Sequence, residues 1–320
     1  MSLTTVRLHR LFADGRLYAV LSASGFGLKA IFVKLAYAAG PVDAVTLLAM
    51  RMGLALPVFV WLAWRGLRGQ AVSLGGADLL RVLVLGAVGY YLSSLFDFYG
   101  LESISAGLER LILFSYPSLV LVFQAIAVRE RPSLRTLQAV AVCYLGLGVA
   151  FVHDLSSAGG GTQVAVGAAW VFASAVTYAL YYLGAGMMVK RLGSLSLAGL
   201  AGSTSALLVL AHYGLVAKLA DLGALPRAVW GYAGLMALFS TVLPVYWLAL
   251  AIQRLGTAQT AAIGNLGPVL TMVAAWCLLG ESLSLYQVAG LGLVMLGVSR
   301  LKPSPSRTAA QPAPVERGGH

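Results

Sequence analysis

Apolar residues run along this chain in ten long blocks, and the charged residues gather in the gaps between them. The blocks are Leu17–Ala39, Ala44–Trp64, Leu79–Tyr99, Ala106–Val128, Leu134–Val152, Gln163–Val189, Leu195–Ala217, Ala228–Ile252, Ala258–Leu279 and Leu283–Ser299. Most reach about 20 residues, the length a helix rising 1.5 Å per residue needs to cross about 30 Å of hydrocarbon. The pattern predicts an all-α integral membrane protein with ten transmembrane helices. Composition agrees: 59% of residues are hydrophobic, 10% are charged and the mean hydropathy is +0.86, too little polar surface for a soluble chain of 320 residues.

The formal charge of +11 carries orientation. With ten spans and an inner N-terminus, the inner segments hold Arg7, Arg10, Arg16, Arg65, Arg68, Arg81, Arg129, Arg131, Arg135, Lys190, Arg191, Arg254, Arg300, Lys302, Arg307 and Arg317, sixteen of the 22 basic residues. The outer loops hold Lys218 and Arg227. That bias places both termini in the cytoplasm by the positive-inside rule, and shifting the span count by one would scramble it. No inner loop is dense enough in Lys and Arg for a nucleic-acid or anionic-lipid patch.

Several chemistries are poorly served by these residues. Cys143 and Cys277 sit singly in separate spans and read as buried thiols rather than a disulfide or metal pair. No Gly-x-x-x-x-Gly-Lys-Ser/Thr loop is present to hydrolyse ATP; Gly25-Phe26-Gly27-Leu28-Lys29 lies inside a span, where glycines serve close helix packing. The nucleophile–base pairing of a membrane enzyme is missing, and neither a metal nor a cofactor is expected. The first span superficially resembles a signal peptide ending at Ala36-Tyr37-Ala38, but Lys29 and Lys34 interrupt its apolar run. Residues 1–16 form a short cytoplasmic segment. Residues 301–320, rich in Pro, Ser, Arg and Gly, read as a disordered cytoplasmic tail.

Sliding the chain against itself by 151 residues superposes the fourth and fifth spans on the ninth and tenth without a gap. Pro117 falls on Pro268, Leu119 on Leu270, Glu130 on Glu281, Ser133 on Ser284 and Gly146 on Gly297. A one-residue adjustment brings Tyr18 over Trp170, Ser22 over Ser174 and Phe26 over Tyr178. The spans thus divide into residues 17–152 and 163–300, joined by an outer linker at 153–162. Five helices is an odd number, so the second half must enter the membrane upside down. The loops agree, since Arg129-Glu130-Arg131 is basic while Gly280-Glu281-Ser282 has no Lys or Arg. Two inverted five-helix repeats around a central cavity are a plan of secondary transporters, with substrate near the midplane.

Charges inside the spans are unevenly placed. Lys29 sits near the middle of the first span, while Lys34, Arg51, Asp97, Glu109 and Arg110 fall in outer halves of spans one to four. A basic group at a helix centre costs about 2.5–3.5 kcal/mol on insertion scales, so each should face protein, water or a partner. Lys34 can snorkel to the outer interface; Lys29, farther from either surface, calls for a cavity or an acidic partner. Salt bridging among Arg51, Asp97, Glu109 and Arg110 would make an outer gate. This cluster belongs to one half only, because Thr260 and Ala261 stand at the places equivalent to Glu109 and Arg110.

Aromatic and hydroxyl residues recur at helical spacing. Tyr90, Ser94 and Asp97 share a face of the third span, with Tyr91 and Tyr99 flanking. Trp170, Ser174, Thr177, Tyr178 and Tyr181 follow in three- and four-residue steps on the sixth, and Ser240, Pro244 and Trp247 align on the eighth. Such stripes either line a cavity, offering π faces and hydroxyls, or are ordinary packing. Pro117 and Pro268 each free a backbone carbonyl and are hinge candidates; Asn265, one turn before Pro268, is positioned to bond a carbonyl or a substrate carboxylate.

With Tyr116-Pro117-Ser118-Leu119 through Glu130 to Gly146, and Gly267-Pro268-Val269-Leu270 through Gly280-Glu281-Ser282-Leu283 to Gly297, the chain resembles the ten-helix, EamA-type exporters of the drug/metabolite transporter superfamily. The resemblance runs from about Leu17 to Arg300, with Arg131-Pro132 extending the first turn where the second has Ser282-Leu283. The aromatic-rich helices are most similar to the YddG-like amino-acid exporters. That resemblance implies alternating-access export of amino-acid-like solutes, aromatic ones included, across a bacterial cytoplasmic membrane, with a functional monomer compatible. Substrate would sit between the halves, its ring against Tyr and Trp and its polar end against hydroxyls and Lys29. Export of cationic amphiphiles and uncoupled, channel-like facilitation are the alternatives.

Overall fold

The computed structural model describes residues 15–68, 74–129, 133–157, 161–216, 221–255, 263–264 and 266–300. Regular structure among them is helical. Helices α1 (Gly15–Ala39), α2 (Ala44–Arg68), α3 (Gly76–Leu101), α4 (Ala106–Val128) and α5 (Leu134–Ser157) follow in order. The element Gly161–Val216 is broken at Gly193, with φ 73° and ψ 160°, into α6 (161–192) and α7 (194–216). Only glycine adopts such a backbone cheaply, so the chain turns there while its helical hydrogen bonding nearly continues. After a single turn at Asp221–Ala224 come α8 (227–255), α9 (Gly267–Leu279) and α10 (Leu285–Arg300).

Seven of the described helical elements are long and apolar enough to cross a membrane, and α9 and α10 are shorter apolar helices. The sequence pattern predicts two spans, 163–189 and 195–217, where the structure runs one element past both. Lys190 and Arg191 mark the place, just ahead of the Gly193 break.

Two halves of the chain repeat each other in local detail. Helical segments begin at Gly76 and Arg227, at Tyr116 and Gly267, and at Leu134 and Leu285, each pair separated by the 151-residue offset read from the sequence. Left-handed backbone ends the helix at Arg129 (φ 57°) and again at Gly280 (φ 66°). A π-helical segment interrupts α3 at Gly86–Leu92 and α8 at Leu238–Val242. Ser115 and Leu266 hold matching backbone angles (ψ −15° and −17°) two residues before the paired prolines. Pro117 and Pro268 thus occupy the first turn after a break, where the missing N–H leaves no donor wanting.

Tertiary contacts repeat as well. Ser22 on α1 donates to Pro244 O at 2.9 Å, and Ser174 on α6 donates to Ser93 O at 2.8 Å. Helices α5 and α10 pack on small residues: a Cβ on Gly146 would meet Gly290 O at 2.6 Å, and one on Gly297 would meet Ala139 O at 2.6 Å. Between those contacts Cys143 Sγ lies 3.5 Å from Val294 O, its partner 151 residues on. In a lipid-bathed chain such close backbone approach supplies the attraction that apolar burial supplies in water.

Packing is tightest at one end. In the first turns of α4, Ala106, Gly107, Leu108, Glu109, Leu111 and Ile112 are all buried, a pattern no single-faced helix shows. Farther along, between Tyr116 and Val128, burial is confined to Ser118 and Leu119. The helix α4 is thus enclosed near the 102–105 loop and more exposed toward Arg129.

Candidate functional site

The closed end is built around charges. Lys29 Nζ on α1 lies 2.7 Å from Asp97 Oδ2 on α3 and 3.5 Å from Glu109 Oε1 on α4. The lysine side chain is 15% exposed, Asp97 1% and Glu109 0%. Among the described residues, Lys29 is the cation paired with both carboxyl groups. A lone charge here would be untenable, whereas a paired one tolerates the low dielectric. The expectation of an acidic partner for Lys29 is met.

The arginines are held differently from the mutual ion pairs expected of them. Arg110 donates from Nε to Thr271 Oγ1 on α9 at 3.1 Å and from its terminal nitrogen to Phe26 O on α1. Arg51, buried on α2, donates from Nε to Thr241 Oγ1 at 2.8 Å and lies 5.5 Å from the centre of the Phe98 ring. Thr241 in turn donates to Met236 O at 3.1 Å, a carbonyl five residues back that the π segment leaves available. Among the described residues, the ion pairs of Asp97 and Glu109 run to Lys29 and not to either arginine.

Three further contacts seal this end. Lys34 donates to Leu101 O and Ile104 O at 3.2 and 3.0 Å, satisfying carbonyls at the end of α3 and in the loop that follows. Glu281, in the turn before α10, accepts from the N–H groups of Ala106 and Gly107 at 2.9 and 3.3 Å, so a carboxylate caps the N-terminus of α4 beside Ser105. Glu102 accepts from Ala44 N at 3.0 Å at the start of α2; partial burial raises its carboxyl above the usual range and the bond draws it back.

Next to the charges lies a group of tyrosines. The Tyr116 ring is 5.0 Å from that of Tyr178 and 5.2 Å from that of Tyr182, and Tyr178 and Tyr182 are 5.1 Å apart. Tyr181 packs edge-on to Tyr90 at 5.2 Å, with the hydroxyls 3.4 Å apart. Gly89 in the π segment makes room, since a Cβ there would meet the Tyr181 ring at 2.3 Å. Arg110 is within electrostatic reach of Tyr116 and Tyr178, which joins the tyrosines to the charged group.

The structure therefore brings together Lys29, Asp97, Glu109 and Arg110, and beside them Tyr90, Tyr178 and Tyr181. It separates others from them. Trp170 stacks on Phe96 (5.4 Å) and Tyr99 (5.5 Å) as a distinct, partly exposed group. Ser174 is buried and engaged with Ser93, and Ser94 and Trp247 are half-buried. Asn265 lies outside the described residues. Tyr116 and Tyr182 escaped the sequence reading: Tyr116 stands next to Pro117 in the repeated motif, but Tyr182 falls off the helical stripe and carries no signal. Thr241 and Thr271, which hold the arginines, were equally silent. A separate groove of about 600 Å³, lined by Tyr144, Gly148, Val152, His153 and Tyr286, lies along α5 and the start of α10, away from this chemistry.

The family pattern of EamA-like transporters matches the chain twice, over residues 14–152 and 165–301. The chain is 29% identical to the uncharacterized transporter YcbK of Bacillus subtilis (strain 168) over 298 residues, covering 91% of this chain and 93% of that one. It is 24% identical to the uncharacterized transporter YyaM of the same organism over 287 residues, covering 88% and 92%. A solved crystal structure superposes with a TM-score of 0.58 at 20% identity over 87% of this chain and 95% of the other, a likeness of fold. With apolar helices long enough to span a bilayer and the family pattern present in both halves, this protein belongs to the EamA-like transporter family and is a multi-pass membrane transporter.

Proposed function

We propose that this transporter exports amino acids, aromatic ones included, and related small metabolites across a bacterial cytoplasmic membrane by alternating access. The observation that carries the reading is a cluster of tyrosine rings (Tyr116, Tyr178, Tyr182) with the Arg110 cation within electrostatic reach. An aromatic amino acid has the complementary features, a ring and a carboxylate, and the tyrosines favour the first as the arginine favours the second.

The transport cycle follows from an inverted repeat. Counting α6 and α7 separately gives ten spans, five in residues 17–152 and five in 163–300, with both termini cytoplasmic and the 153–162 linker outside. Support comes from the family pattern matching twice, from helix starts 151 residues apart, and from the reciprocal bonds Ser22 to Pro244 and Ser174 to Ser93. On this reading the closed end is the outer one, and Pro117 and Pro268 are the hinges about which the halves rock.

A second reading, efflux of cationic amphiphiles, is favoured by the buried acids Asp97 and Glu109, which would attract an ammonium group. Lys29 already fills that place in the closed arrangement, so amino-acid export is preferred. The deciding experiment is radiolabelled flux in proteoliposomes, with and without a proton gradient. Saturable movement of aromatic and aliphatic amino acids supports export; movement of cationic dyes with no amino-acid flux overturns it.

A further inference from the structure

We infer that Asp97 and Glu109 form a proton-binding site, and that one proton held between them closes the end of the bundle built on the first turns of α4. Both side chains are fully enclosed, at 1% and 0% exposure, and both lie against the same ammonium, Lys29 Nζ, at 2.7 and 3.5 Å. Two buried carboxylates that share one lysine repel each other, and a proton on one of them removes that repulsion. Glu109 is the carrier. The oxygens of both acids are buried without a hydrogen-bond donor among the described residues, and Lys29 lies nearer Asp97, at 2.7 Å, than Glu109, at 3.5 Å.

Other cations lie around the pair and keep their charge, but among the described residues none except Lys29 makes an ion pair with either acid. From α1 come Lys29, Lys34 and Tyr37, with Lys34 spent on Leu101 O and Ile104 O and Tyr37 on Phe98 O. Arg51 from α2 is bonded to Thr241, and Arg110 to Thr271 and Phe26 O. Glu281, ahead of α10, caps α4. With a proton on Glu109 the core is a neutral acid beside a Lys29–Asp97 pair. Without it, a second buried carboxylate shares one lysine, and the penalty for an incompletely paired ion favours separation of α3 from α4 and entry of water. Water arriving at the open end takes the proton as hydronium or buffer acid; reclosure requires a proton to return. Transport becomes linked to proton movement at this site, a consequence that rests on the alternating-access reading, whereas the site itself does not.

The test uses the full chain in lipid vesicles and infrared difference spectra between acid and alkaline buffer. A protonated-carboxyl C=O stretch that shifts in deuterium oxide and is missing in Glu109→Gln is the expected result. In a Cys143→Ala/Cys277→Ser background, Ala106→Cys, fully buried at the closed end, should react with a membrane-impermeant maleimide several-fold faster in alkaline than in acid buffer. Adding Glu109→Gln, a permanent neutral mimic, should hold labelling low at both. If that substitution prevents folding, Asp97→Asn carries the spectroscopic test: with a single acid left, Glu109 ionises against Lys29 and the band is lost. A band unchanged in both variants, or labelling with the same pH dependence with and without Glu109→Gln, overturns the proposal. None of these readouts needs an amino acid, so their failure leaves the substrate assignment untouched, and absent flux leaves the proton site standing.

Discussion

Lys29 and Asp97 meet at 2.7 Å although 68 residues separate them, and their contact ties α1 to α3 inside the closed end of the bundle. Removing one partner of a buried pair strands the other, at a cost of about 3–5 kcal/mol. Lys29→Gln is therefore expected to lower thermal stability in detergent more than Lys29→Gln combined with Asp97→Asn. A double variant no more stable than the single one would show that the pair adds nothing to closure.

The α5–α10 contact predicts a symmetric response. Gly146→Ala pushes a methyl against Gly290 O, and Gly297→Ala pushes one against Ala139 O, at the same 2.6 Å. Overpacking of this kind costs about 1–3 kcal/mol. Both variants should lose similar stability, while Gly148→Ala, with nothing within 4 Å, should lose none. Unequal losses in the two glycines would undo their equivalence.

Much of this architecture was legible in the sequence, because lipid demands long apolar runs and gathers most charges between them. The 151-residue offset was visible in the same runs, since Pro117 falls on Pro268 and Glu130 on Glu281. Lys29 was legible as a cost needing compensation. Its choice of Asp97 and Glu109 over the arginines was not, since pairing depends on helix rotation that spacing alone leaves free. The π segments in α3 and α8 have no compositional mark, so the placement of Thr241 under Arg51 and of Tyr181 against Gly89 could not be foreseen. The sixth-span stripe read as one surface, whereas the structure divides it: Trp170 leaves with Phe96 and Tyr99, and Tyr178 and Tyr181 stay with Tyr90 and Tyr116.

That division yields a substrate test. If Tyr116 and Tyr178 present the π surface, replacing either with Ala should weaken an aromatic amino acid by about 0.5–1.5 kcal/mol beyond simple area loss, roughly two- to tenfold in affinity. A small aliphatic solute should lose less. Trp170→Ala should affect both solutes alike, through packing. Equal losses for both solutes in all three variants, measured by binding or competition in vesicles, would remove the tyrosines from substrate recognition.

Glu281 offers the last test, because one carboxylate carries both a cap and a contact between the halves. Its oxygens take the N–H groups of Ala106 and Gly107, the start of α4, from the turn that precedes α10. Deleting an N-terminal cap costs about 0.5–2 kcal/mol. The loss should fall at the lower end here, because Ser105 still accepts from Leu108 N at 3.1 Å. Glu281→Ala should therefore lower stability slightly yet raise the maleimide labelling of Ala106→Cys clearly, since the bond lost is one that holds the end shut. Glu281→Gln keeps an oxygen acceptor but not the charge that favours the helix terminus, so it should label at an intermediate rate. Labelling from the side opposite to that reached by a cysteine placed at Arg254 is required by the inverted arrangement. Reaction of both positions from one side would mean that the turn before α10 lies at the cytoplasmic face, and the proposed outer gate would be lost with it.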